Sequence, residues 1–132
     1  MRKPMVAGNW KMNGLRANLS EVAAIDQAAA KANCDVILCV PATLISQLAL
    51  KAKNIFIGGQ TCHNEASGAH TGDISAEMLQ DTGAQYVILG HSERRIDHAE
   101  KDESIQQKVL VAWQFGLKAI VCIGETLDQR DS

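Results

Sequence analysis

Five short apolar runs punctuate the chain: Met5-Val6-Ala7, Asp35 to Val40, Ile55-Phe56-Ile57, Tyr86 to Leu89, and Ala119 to Ile123. They are apolar at successive positions and rich in β-branched residues, the pattern of strands covered on both faces. Between them the period lengthens to that of a helix. Asn18, with Glu21 three residues on, is a candidate cap for a face holding Leu19, Val22, Ala23 and Ala30. Thr43 precedes Leu44, Leu48 and Ala52, and Ser75 precedes Met78 and Leu79. Ile105, Val109, Ala112 and Trp113 recur at i, i+4, i+7 and i+8.

Strand and helix therefore alternate through to a fifth strand. Parallel strands need crossover helices, so the fold class is α/β. Periodicity leaves an open doubly wound sheet and a barrel equally available. No linker or low-complexity tract divides the chain, and Pro4 and Pro41 fall at strand edges, where a missing N–H is tolerated. One domain spanning 1–132 is expected.

In such folds chemistry gathers where strands end at their C-terminal edge. Strand 1 ends in Gly8-Asn9-Trp10-Lys11, strand 3 in Gly58-Gly59-Gln60, strand 4 in Gly90-His91-Ser92-Glu93-Arg94-Arg95, and strand 5 in Gly124-Glu125. Four exits thus pair a glycine, which permits a bend, with a polar group that can project over the sheet. Asn9 and Lys11 are two residues apart, so strand alternation puts both on one face. Trp10 and Met12 then point the other way, as packing.

The 132 residues are 46% hydrophobic and 21% charged, ordinary for one globular core. The net charge of -2, with signs mixed along the chain, argues against nucleic acid or an anionic membrane as partner. No apolar run reaches membrane-spanning length and no secretory signal opens the chain. Cys34, Cys39, Cys62 and Cys122 form no CxxC pair and read as reduced, packed thiols.

Each candidate group also has a purely structural reading. Lys11 alone could be a solvated strand-end lysine. With Asn9 beside it, the pair offers a cation, a donor and an acceptor to an anionic, oxygen-rich molecule such as a phosphorylated sugar. His91 could be a packed imidazole. At the start of a helix, however, the dipole disfavours its cation and leaves a neutral donor for a developing oxyanion. Arg94 and Arg95 with Glu93, Glu100 and Glu125 read as an ion-pair network. His63, His70, His91 and His98 show no metal-ligand spacing, so no metal is expected.

In order and spacing, "AGNWKMN", "GGQ", "SGAHTGDIS", "GHSERR", "EKDESIQQKV" and "CIGETLDQR" closely resemble the N-terminal part of the triosephosphate isomerase family. The resemblance covers essentially the whole chain. It implies a (β/α)8 TIM barrel, of which residues 1–132 would supply strands 1 to 5 and the helices between them. It also implies interconversion of dihydroxyacetone phosphate and glyceraldehyde 3-phosphate through an enediolate, in the cytoplasm, without a cofactor.

Carried over by position, Lys11 would hold the substrate's phosphate and developing oxyanion, with Asn9 hydrogen-bonding at the same centre. His91 would be the neutral electrophile and Glu93 a second carboxylate beside it. Ser92 would support the histidine, and Cys122 would pack near the catalytic base. The loop 68–73 resembles the segment that plugs into a second subunit of a homodimer, with Thr71, Gly72 and Asp73 in contact. His70 stands where members commonly have an aromatic residue, and Asp73 where they have the longer Glu.

The proton-moving glutamate, the lid and the later phosphate loops belong to three further βα units. Five strands leave two unpaired edges and an exposed apolar face, so a complementary C-terminal segment is expected to complete the barrel. A nick in an exposed loop at 129–132 is one way the two parts could arise. By itself this chain is expected to be inactive. The reading from another class is a non-catalytic half-barrel that binds phosphate weakly or only self-associates.

Overall fold

A computed structural model describes residues 1–132 as five parallel strands joined by helices. The strands are β1 (Met5–Asn9), β2 (Asp35–Cys39), β3 (Phe56–Gly59), β4 (Tyr86–Leu89) and β5 (Lys118–Val121). The helices are α1 (Leu19–Ala29), α2 (Ala42–Lys51), α3 (Ala76–Asp81), α4 (Ser92–Asp97), α5 (Asp102–Gln114) and α6 (Leu127–Asp131). The five apolar runs are the five strands, with ends that shift by one or two residues.

Spatial order follows chain order, β1-β2-β3-β4-β5, with every pair parallel. A doubly wound sheet reverses its order at a switch point, and this one does not. The choice that periodicity left open is settled as part of a barrel. The two faces of the sheet are also unequal. Leu38, Val40, Ile57, Val87 and Leu89 pack with Leu44, Ile45, Leu48, Ile105 and Ala112 from the helices. Ile37, Cys39, Tyr86 and Ile88 form a smaller cluster on the concave side, with Phe56, Ile120 and Cys122 against it. Where strands have only one neighbour the covering stops: Val6 on β1 is 60% exposed and Val121 on β5 is 47% exposed.

Several expected helix signals prove to work differently. Ser75 does cap α3, its Oγ accepting from the Met78 N–H at 3.1 Å, while Leu79 is buried and Met78 is exposed. Asn18 precedes α1 without capping it by its side chain. Its Oδ1 accepts from Leu15 N–H, and its Nδ2 donates to Glu21. Ala23 and the C-cap Ala30 are exposed, and Val22 is the one fully buried residue of this helix. Helix α2 starts at Ala42, one residue before Thr43, since Pro41 already fixes the preceding φ. Trp113 stands 62% exposed at the end of the α5 stripe. Gln129 to Asp131 are not a loop but the last turn of α6, capped by Thr126.

One long-range polar clamp sets where β3 begins. Asp26 on α1 accepts from the backbone N–H groups of Lys53, Asn54 and Ile55 at 2.7–3.1 Å, and its own carbonyl accepts from Asn54 Nδ2. Asp26→Ala orphans these donors and is expected to destabilise the fold by about 1–3 kcal/mol. A lower urea midpoint at unchanged slope would register it; an unaltered midpoint would show that water replaces the carboxylate at no cost.

Candidate active site

The exits of β1, β3 and β4 converge on an open concavity of about 680 Å³, lined by Asn9, Lys11, Gln60, Thr61, His91 and Glu93 among others. The sheet's register brings them there. Asn9 pairs with Cys39 across β1 and β2, and Cys39 pairs with Gly58 across β2 and β3, so Asn9 is level with Gly58, and Gln60, two residues further on, comes level with Lys11.

Asn9 and Lys11 do share this site, but not because a strand alternates through them. The strand ends at Asn9, and Lys11 takes a left-handed conformation with φ 57°. The bend expected at Gly8 falls on Lys11 instead. Asn9 Oδ1 accepts from the Lys11 backbone N–H at 2.8 Å, a side-chain clasp that accommodates the turn. Trp10 does pack against the helix-side core, whereas Met12 is 95% exposed. Alternation fails at Met12 because the chain has already left the sheet.

Gly90, at φ 71°, turns the chain out of β4 where a Cβ would lie 2.8 Å from Ile105 and 3.0 Å from the Cys122 carbonyl. The next residue, His91, becomes the N-cap of α4. Its Nδ1 accepts from the Glu93 backbone N–H at 3.2 Å. An Nδ1 that accepts carries no proton, so the proton of the neutral ring sits on Nε2, which is then a donor.

Glu93 turns toward the cation: its Oε1 lies 2.7 Å from Lys11 Nζ, both side chains being half-exposed. The hydrogen bond from Lys11 holds the Glu93 carboxyl below the usual carboxylate range, against the opposing effect of burial. Carboxylate and ammonium thus stand charged side by side. Ser92 is exposed, as the first residue of α4.

The arginines partition more narrowly than a single network. Arg94 pairs with Glu100. Arg95 pairs with Asp102 at 2.7 Å and also donates to the carbonyls of Gly90 and Cys122, tying the exits of β4 and β5 together. Glu93 belongs to Lys11, and Glu125 is exposed at the rim. Lys108, on the buried face of α5, was not among the expected site residues. Its Nζ reaches Glu100 at 3.1 Å and Thr61 Oγ1 at 3.3 Å, so the Glu100 carboxylate ties α4 to α5 and the Lys108 ammonium ties α5 to the β3 exit. Burial pushes the Glu100 carboxyl up, but the hydrogen bonds from Arg94 and Lys108 outweigh it and bring it below its ordinary value. The signal was present in the sequence: Ile105, Lys108 and Ala112 fall on one helical stripe, where a lysine needs a partner.

Thr71, Gly72 and Asp73 are exposed on the loop after β3. Within the chain Asp73 faces His63 at 3.6 Å. His70 stacks on His63 with ring centroids 4.0 Å apart and meets Glu65 at 2.8 Å, an association that spacing did not reveal. No group of three His, Cys, Asp or Glu side chains is placed to hold a metal ion. No helix is long and apolar enough to cross a membrane. All four cysteines are free. Burial pushes the Cys39 thiol up to about 11 and also raises that of Cys122, half-buried against the concave cluster.

Comparison with known proteins bears on what this arrangement serves. The family model described as triosephosphate isomerase matches residues 4–132. A triosephosphate isomerase of Jannaschia sp. (strain CCS1) is 56% identical over 134 residues, covering 100% of this chain and 54% of the relative. One from Afipia carboxidovorans is also 56% identical, covering 98% and 53%. The crystal structure of triosephosphate isomerase from Bartonella henselae superposes with a TM-score of 0.91 at 48% identity, over 98% of this chain and 55% of that one. The chain thus spans about half the length of the relatives it matches.

Proposed function

The chain belongs to the triosephosphate isomerase family, and on that premise we propose that it forms the N-terminal part of an enzyme interconverting dihydroxyacetone phosphate and glyceraldehyde 3-phosphate by proton transfer through an enediolate. The observation that carries the reading is the pairing of one cation, Lys11, with one donor whose tautomer is set by its own cap, His91, over the same concavity.

Removing a proton from carbon beside a carbonyl puts negative charge on the carbonyl oxygen. His91 Nε2–H donates to that oxygen and, being neutral, is acidic enough to donate yet not so acidic that it protonates the enediolate outright. The Lys11 ammonium holds the phosphate dianion and the same growing charge, and Asn9 hydrogen-bonds beside it. Glu93 keeps Lys11 oriented while the site is open, with Ser92 supporting the histidine's turn of helix. Cys122 packs where the base approaches. The base itself is a carboxylate from the C-terminal half of the barrel. That half also covers the edges at Val6 and Val121.

The same reading makes residues 1–132 the incomplete part of one cytoplasmic domain. The working form is a homodimer in which Thr71, Gly72 and Asp73 enter the second subunit, beside apolar surface such as Met12 and Leu15, 95% and 74% exposed. No cofactor or metal takes part in this reading.

The test is a coupled assay on the chain alone and on the chain assembled with the C-terminal half of the Jannaschia relative. Turnover is expected only in the assembly. Absence of turnover with both halves folded together would overturn the proposal and leave a non-catalytic half-barrel in its place.

A further inference from the structure

Lys11 is one of two non-glycine residues with a positive φ, at 57°. A side chain resists that region, and such a conformation persists only where its surroundings over-determine it. Both backbone polar groups of Lys11 are held. Its N–H donates to Asn9 Oδ1 at 2.8 Å, and its carbonyl accepts from Gln60 Nε2 at 2.8 Å, across 49 residues of chain. The same nitrogen lies 3.3 Å from Asn9 Oδ1 and 3.4 Å from the Cys39 carbonyl. All three neighbours are acceptors, so only the NH2 end of the amide fits there. One half-buried amide therefore stands where the exits of β1, β2 and β3 meet, touching both the strained residue and the side chain that clasps it.

We propose that Gln60 is a positioning residue for catalysis: by holding the Lys11 carbonyl and Asn9 together it keeps Lys11 left-handed and so aims the ammonium into the site. No other side chain donates to that carbonyl. The Lys11–Glu93 ion pair is half-exposed and constrains only the far end of a long, flexible side chain, which by itself cannot select a backbone turn. Without the Gln60 donor the turn relaxes toward an ordinary negative φ. The Lys11 side chain then swings, since its Cα–Cβ direction follows the backbone.

The inference rests on the isomerase reading for its catalytic consequence, but its structural consequence can be tested without it. Gln60→Met keeps the length and removes the donor. Gln60→Glu keeps the shape and sets an oxygen against three oxygens. In the assembled barrel, Gln60→Met is expected to lower kcat/KM by roughly 10- to 100-fold, the scale of a misplacement near 1 Å, with KM for the triose phosphate rising. A variant that merely unfolded some molecules would lower kcat and leave KM alone.

In a Lys11→Met background, where there is no ammonium to aim, Gln60→Met should cost less than about twofold further. An equal loss in both backgrounds would overturn the proposal and assign Gln60 to general stability. A crystal structure of Gln60→Met decides the backbone claim whether or not the assembly turns over. Lys11 is expected to leave the left-handed region and separate from Glu93 beyond about 4 Å. A Lys11 that stays at positive φ with its ion pair intact refutes the positioning role. Inactivity of the unsubstituted assembly would instead refute the isomerase reading.

Discussion

Lys11→Ala in the assembled barrel is expected to lower kcat/KM by roughly 10³-fold or more, since on the proposed isomerase reading it removes the ammonium that faces both the phosphate and the enediolate oxygen. Losing even one neutral donor from a preorganised oxyanion site typically costs about 10²–10³-fold, and here a full charge is lost. The fold should hardly notice. The Lys11 side chain is half-exposed, and its pairing with Glu93 is of the surface kind that contributes about 0–1 kcal/mol. Steady-state rates in both directions, with a thermal melt alongside, separate the two effects. Undiminished turnover would refute the assignment, and a collapsed melt would point to a structural role for the lysine that its exposure does not suggest.

His91→Gln should be nearly as damaging, by about 10²–10³-fold in kcat. Glutamine's carboxamide oxygen can take over the acceptor role toward the Glu93 N–H, so α4 still starts in the same place. Its N–H is a much weaker acid than an imidazole N–H, so less charge is relieved as the enediolate forms. The loss should therefore appear in kcat more than in KM, because the interaction strengthens only as charge develops. A loss confined to KM would mean that His91 binds the ground state and does not assist the chemistry.

The strands were legible because parallel strands buried on both faces must be apolar at every position, so β2 and β4 read as uninterrupted runs. The exits were legible for a related reason: glycine followed by a polar residue at the end of an apolar run has no use inside a core. That logic put Asn9, Lys11 and His91 into view. It misplaced the bend of the first exit, where Gly8 stays in the strand and Lys11 takes the left-handed turn. The constraint on Lys11 comes from Asn9 and Gln60, and a residue 49 positions away leaves no local trace. Lys108 was hidden similarly, since a helical stripe can show that a lysine is buried without naming Glu100 and Thr61 as its partners.

By itself, then, the sequence determined the alternation of strand and helix, the chemistry available at the exits, and through its motifs the family. Each of these depends on residue type and short-range spacing. Whether the strands close in sequential order, which exits face one another, and how an ammonium is aimed from a strained turn were decided only in the tertiary structure. Those features follow from strand register. Pairing Asn9 with Cys39, and Cys39 with Gly58, places Gln60 against Lys11, and register is set by how the whole buried surface packs and not by any local pattern.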